Sequence, residues 1–292
     1  MLRDTGVKGG VYMGVGPEQN FSYIAAIRPA MAFVVDIRRQ AVVQHLMFKA
    51  IFEMAADRAD FISLLFSKPR PAGLDGGTPI QKIWEAFTPV ATDAPMGRAT
   101  YNRLTELLFK THGITLTEEE STQMRQVFDA FQVYGPSIST RGGGGGGGNT
   151  LTFADLTGWA VDAAGAPQSF LSTDDNYKFV KSLQEKNLVV PASGDFGGPK
   201  TIRAIGAYLR ERGGTVSAFY LSNVEQYLFI DGKQKAFYDN VATLPTNDKS
   251  VFIRPYSLRG RVAQALCPIG PFVAAFNAGH VFGNNDALAC AR

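Results

Sequence analysis

Four short stretches carry residue types and spacings suited to holding a nucleoside. The first is Gly14-Val15-Gly16-Pro17, followed by Glu18, Gln19 and Asn20. Two glycines one residue apart let a backbone pass close to a bound molecule, and Pro17 suits the first turn of a helix. Gln19 stands where a G-x-G-x-x-G fingerprint has its third glycine, which weakens a pyrophosphate site. Glu18 places a negative charge where an anion would sit, so a sulfonium or an amine is the better guest. The second stretch is Asp36 with Ile37 and Arg38. A carboxylate about twenty residues beyond a glycine turn is the usual partner of a ribose, accepting its hydroxyls in charge-assisted bonds. An ion pair from Asp36 to Arg38 or Arg39 is the alternative. The third is Asp195-Phe196, an acceptor and a ring that together suit an adenine; the alternative is that Asp195 caps a helix beginning near Lys200. The fourth is Ser222-Asn223-Val224-Glu225, with Tyr227 behind it. Asn223 and Tyr227 are the candidates to face a transferring group, although the same residues form an S-x-x-E capping box.

Other chemistry finds little footing. No G-x-S-x-G elbow occurs, and His45, His112 and His280 lack metal-ligand spacing. His45, beside an apolar helical stripe, reads as structural. Gly142 to Gly148 reads as a flexible surface loop, because phosphate cradles lead from a strand straight into a helix and this run leads into Asn149-Thr150-Leu151-Thr152.

The elements that must position these residues follow from periodicity. Val11 to Met13 reads as a buried strand, Glu18 to Ile27 as a helix, Ala32 to Val35 as a second buried strand ending in Asp36, and Val42 to Ala55 as a helix. That is half of a mononucleotide-binding βαβ unit, with the helix N-terminus at the carboxyl end of the strand. Helical segments then replace the rhythm: Arg58 to Phe66, Ile80 to Phe87, Arg98 to Thr111, Met124 to Tyr134 behind a Thr117–Glu120 capping box, and Tyr177 to Glu185 behind Ser172 to Asp175. Strands return at Leu188 to Ser193, Val216 to Leu221 and Val251 to Ile253, with helices at Lys200 to Arg212 and from Ser222 to about Phe229. Beyond Leu258 the signals are mixed. The expected fold is α/β, an open, mostly parallel Rossmann-like sheet with a helical insertion after the second strand-helix unit. Residues 1–56 and 188–292 form its two halves. Residues 57–187 form the insertion or cap, with the glycine-rich loop at 141–150, and that cap is a candidate surface for a protein partner.

Composition bounds the rest. The chain has 292 residues, 45% hydrophobic and 19% charged, with a formal net charge of +3. That describes a soluble globular protein and gives no nucleic-acid signal. No apolar run reaches the ~18 residues of a membrane span, and the first residues lack the apolar core of a signal peptide. The expected location is cytoplasmic, with Cys267 and Cys290 as free thiols in a reducing compartment; a single disulfide in the tail is the alternative. Met1 lies so close to the first strand that a preceding native segment is expected.

The stretches GVYMGVGPEQNFSYIAAIRPAMAFVVDIRR and LVVPASGDFGGPKTIRAIGAYLRERGGTVSAFYLSNVEQYL resemble a family of uncharacterised bacterial methyltransferase-like proteins with a class I S-adenosylmethionine-dependent methyltransferase fold. The resemblance implies that Gly14 and Gly16 hold the methionine part of S-adenosylmethionine, that Asp36 holds its ribose, and that Asp195 and Phe196 hold its adenine. The late antiparallel hairpin usual in that fold is not evident in the sequence. The expected function is methyl transfer from this cofactor to a small-molecule or otherwise unknown substrate. The alternatives are an NAD(P)-binding oxidoreductase and a non-catalytic Rossmann-like binding protein.

Overall fold

A computed structural model describes residues 6–139, 151–159, 161, 165–258 and 261–288. The glycine run Gly142 to Gly148 lies outside them. The chain divides into two compact units, one of Met1–Asn20, Ala26–Val42 and Leu188–Arg292, the other of Phe21–Ala25 and Val43–Asn187. The second unit therefore begins earlier than the expected insertion at residue 57.

In chain order the elements are β1 (Val11–Gly14), α1 (Gln19–Ile27), β2 (Met31–Asp36), α2 (Arg39–Met54), α3 (Arg58–Phe66), α4 (Ile80–Phe87), α5 (Ala94–Glu106), α6 (Glu118–Tyr134) and α7 (Asp174–Glu185). They continue with β3 (Val189–Ser193), α8 (Thr201–Glu211), β4 (Val216–Tyr220), α9 (Val224–Ile230), α10 (Gln234–Val241), β5 (Val251–Leu258), β6 (Arg261–Pro268), α11 (Ile269–Asn277) and α12 (Asn284–Ala287).

In the first unit the strands form one open sheet in the order β3-β2-β1-β4-β5-β6. All neighbours are parallel except β5 and β6, so the unit is a Rossmann-like α/β fold. Near-continuous apolar runs explain β1 and β2, which are buried almost throughout as strands covered on both faces must be. Pro191 is tolerated because β3 is an edge strand, where a missing donor costs the ladder nothing. The core of the unit is a chain of rings in which Phe196, Phe219, Phe237, Phe252, Tyr238 and Phe272 meet at centroid distances of 5.1 to 6.3 Å.

Three expectations need correction here. β5 runs to Leu258 and pairs antiparallel with β6 over Val251↔Pro268 to Leu258↔Arg261, so the late hairpin exists. Cys267, fully buried on β6, is disulfide-bonded, where a free thiol was expected; Cys290 lies outside the described residues. The S-x-x-E box at Ser222 to Glu225 does not form: Asn223 stands at the N-cap of α9 with no side-chain cap bond, and Glu225 turns inward.

The second unit is helical, held by its caps and by rings. Thr117 Oγ1 accepts from Glu120 N at 3.1 Å while Glu120 Oε2 accepts from Thr117 N at 2.9 Å, the reciprocal box that the spacing implied. Thr173 and Asp57 cap α7 and α3. Phe52 lies at the centre, tilted against Phe61 at 4.5 Å and stacked on Tyr177 at 5.5 Å. His45 is buried edge-on to Phe21 at 5.6 Å, as a structural histidine. Among the described residues no helix is long and apolar enough to cross a membrane.

Candidate functional site

Within the α/β unit the strand order reverses between β1 and β4: β2 and β3 lie to one side of that pair, β5 and β6 to the other. Loops leaving the two strands diverge there, and the crevice between them is where open α/β sheets bind ligands. Met13 pairs with Phe219, so Gly14 and Tyr220 end the two strands side by side. The Tyr220 hydroxyl donates to Gln19 Oε1 at 3.2 Å, joining the end of β4 to the first turn of α1. Burial pushes the Tyr220 phenol up, so it stays protonated and remains a donor. Tyr220 was not singled out from the sequence, where it is one more apolar position of a strand.

The glycine turn is fixed from within by Asn20. Its Oδ1 accepts from the Tyr12 hydroxyl at 2.8 Å, and its Nδ2 lies 3.1, 3.0 and 2.6 Å from the carbonyls of Val15, Gly16 and Pro17. A Cβ on Gly14 would stand 2.0 Å from Asn20 Oδ1 and 2.7 Å from the Tyr12 hydroxyl, so glycine is demanded there by packing. Gly16 is demanded by its backbone, at φ +79°, and a Cβ there would meet nothing within 4 Å. Asn20 was expected at the ligand; it is fully buried and serves the loop instead. Gly14→Ala must displace Asn20, so it should cost about 1–3 kcal/mol in urea unfolding as an overpacked site.

Glu18 follows this turn and is 7% exposed. Burial raises its carboxyl to about 7, against a smaller opposing contribution from its own amide. Asp36 ends β2, which runs two residues past Gly14, since Gly14 pairs with Val34. Its side chain is buried and held by Arg38: Oδ1 accepts from Arg38 N at 2.9 Å and Nε at 3.2 Å, and Oδ2 from a guanidinium nitrogen at 3.3 Å. The ion pair weighed from the sequence is therefore present, but Oδ2 has one partner and keeps a lone pair. Arg38 is 67% exposed in its side chain. Ile37, 63% exposed, presents an apolar surface next to Asp36.

Asp195 follows β3. It neither caps α8 nor stands open: Oδ2 accepts from Lys233 Nζ at 2.8 Å and Oδ1 from Gly197 N at 3.0 Å. The bond to Lys233 holds its carboxyl below the ordinary range. Phe196 is a core ring, 4% exposed and stacked on Phe219 at 6.3 Å, so it offers no free face to an adenine. Asn223 and Tyr227 lie after β4 and are both exposed, Tyr227 by 58%.

The helical unit has a cavity of its own, about 370 Å³, lined by Glu53, Met54, Leu107 and Glu185. Its charges are already matched. Glu53 pairs with Lys49 and, at 2.7 Å, with His112 Nε2; Glu185 pairs with Lys181 at 3.1 Å. Among the described residues no group of three or more His, Cys, Asp or Glu is placed to hold a metal ion.

A family model described as Domain of unknown function (DUF7790) matches residues 2–73 and 157–267, more than half of the chain. The match takes in the glycine turn, Asp36, Asp195 and the ends of β4, and leaves residues 74–156 outside. No curated protein matches the chain.

Proposed function

The chain belongs to the DUF7790 family, and we propose that its α/β unit binds S-adenosylmethionine at the carboxyl edge of β1, β2 and β4 and serves a methyltransferase. The observation that carries this reading is one juxtaposition: a glycine turn at the reversal of the strand order, with a buried carboxylate, Asp36, ending the neighbouring strand two residues further out. Dinucleotide sites share the turn, but Gln19 in place of the third glycine and the acidic Glu18 at the start of α1 disfavour a pyrophosphate. The antiparallel β5–β6 pair also agrees with the class I methyltransferase fold that the resemblance implies.

The residues fit the group as follows. The Gly14-Val15-Gly16-Pro17 backbone would hold the methionine part. Asp36 would accept a ribose hydroxyl through the lone pair left on Oδ2, beside its pairing with Arg38. The apolar contact to the base would come from Ile37, since Phe196 is committed to the core, and Asp195, already paired with Lys233, is the first polar residue after β3. Asn223 and Tyr227, exposed after β4, border the side from which an acceptor arrives. S-adenosylmethionine, when bound, supplies a methyl group on a positively charged sulfur. The protein contributes chiefly by holding both reactants in line, where proximity and alignment supply the rate. A ligand at a hundred times its dissociation constant stabilises the folded chain by about 2.7 kcal/mol, so S-adenosylhomocysteine should raise the melting temperature of the wild type. Asp36→Ala should abolish most of that rise. No rise in the wild type, or an equal rise in Asp36→Ala, would count against the assignment.

A further inference from the structure

Among the described residues the buried carboxylates are held by other residues, with one exception. Asp36 is held by Arg38, Glu120 accepts from the Thr117 amide, and Glu225 is held by Arg254 and Tyr238. Glu18 is as buried as these, yet among the described residues it makes no ion pair and no hydrogen bond to another residue. An unpaired buried charge is costly and is a position where a ligand's charge is commonly met. The nearby carbonyls of Val15, Gly16 and Pro17 face Asn20 Nδ2 and carry only partial charge. Glu18 is therefore the negative group that the glycine turn has left to offer at the reversal of the strand order.

We propose that the Glu18 carboxylate is the counter-charge to a positively charged centre of the bound molecule, and that it makes the site select a cationic nucleoside over its neutral counterpart. This rests on the cofactor reading above and adds a direction to it. When the methyl group leaves the sulfonium for the acceptor, the sulfur keeps the bonding pair and becomes a neutral thioether, while the acceptor gives up a proton to solvent if it carries one. Glu18 then loses its partner, so the product form is held less tightly than the substrate form and is released in favour of it. Burial raises the Glu18 carboxyl in the free chain and favours its neutral form, whereas a cation close by favours the ionised acid, so ionisation of Glu18 and binding of the sulfonium promote each other.

Calorimetric titration of the full chain with S-adenosylmethionine and with S-adenosylhomocysteine, for wild type and Glu18→Gln, tests this. The wild type should bind the sulfonium at least about tenfold more tightly than the thioether. Glu18→Gln should narrow the ratio to within about twofold by weakening only the sulfonium. Glu18→Leu, a second variant whose fold is checked by circular dichroism, should lose the preference as well. An undiminished preference in both variants, or equal affinities in the wild type, overturns the role of Glu18 and leaves the cofactor site standing. Failure of both ligands to bind the wild type overturns the cofactor site and this role with it.

Discussion

Glu225→Gln should lower the stability of the protein by about 3–5 kcal/mol, the cost of taking one charge out of a buried ion pair. Arg254 and Glu225 are 1% and 5% exposed in their side chains. Two guanidinium nitrogens of Arg254 donate to the two oxygens of Glu225 at 2.7 and 2.6 Å, and the Tyr238 hydroxyl donates to Glu225 at 2.6 Å. The guanidinium also lies 4.5 Å from the ring centre of Phe252 and 3.9 Å from that of Phe272. Burial, with the negative Glu225 beside it, pushes the Tyr238 phenol far above its ordinary range, and it stays a donor at every working pH. With glutamine in place the Arg254 guanidinium faces a neutral amide where the two carboxylate oxygens of Glu225 were. Urea unfolding should show a lower midpoint with an unchanged slope. The double variant Glu225→Leu/Arg254→Leu should lose less than either single change, because removing both charges also removes the desolvation each would suffer alone. A loss below about 1 kcal/mol for Glu225→Gln would place the pair among weak surface bridges instead.

Glu18→Gln should act in the opposite direction and depend on pH. Burial raises the carboxyl from 4.5 to about 7 in the folded chain, so between those values the folded state binds the proton more strongly than the unfolded state does. Stability therefore falls as pH rises through that window, and the full penalty is present above about 7. A shift of this size corresponds to about 3 kcal/mol at roughly 1.4 kcal/mol per pH unit. Glutamine keeps the shape without the charge. The variant should thus match the wild type near pH 4.5 and exceed it by up to about 3 kcal/mol at pH 8. Denaturant unfolding across that range checks the sign. A wild-type chain whose stability rises from pH 5 to pH 8 relative to Glu18→Gln would mean that Glu18 has a partner in the folded state.

What was legible in the sequence is what local chemistry determines. β1, β2 and β4 were readable because strands buried on both faces are continuous apolar runs, and α6 and α7 because Thr117 and Thr173 announce their starts. The juxtaposition of the glycine turn and Asp36 was readable for the same reason, since both follow strands whose ends are sharp. The hairpin was not readable. Arg254, Pro255 and Gln264 interrupt its alternation, and Arg254 sits inside a strand only because Glu225, 29 residues earlier, is there to meet it. That same long-range pair defeated the capping box at Ser222, whose pattern was correct but whose acid had a stronger claim on it. Phe196 was misjudged because a ring after a strand looks alike whether it turns to a ligand or to Phe219. Asn20 was misjudged because a polar residue beside a glycine turn looks like a ligand contact even when the turn's own carbonyls need it.

Native mass spectrometry of the full chain incubated with S-adenosylhomocysteine tests the binding site at the reversal of the strand order most directly. One nucleoside should be retained per wild-type chain, and Gly14→Ala, which displaces Asn20 and with it the turn, should retain none while remaining folded. A wild-type chain whose mass is unchanged at saturating ligand, or a Gly14→Ala chain that carries the nucleoside as well as the wild type does, would contradict the assignment.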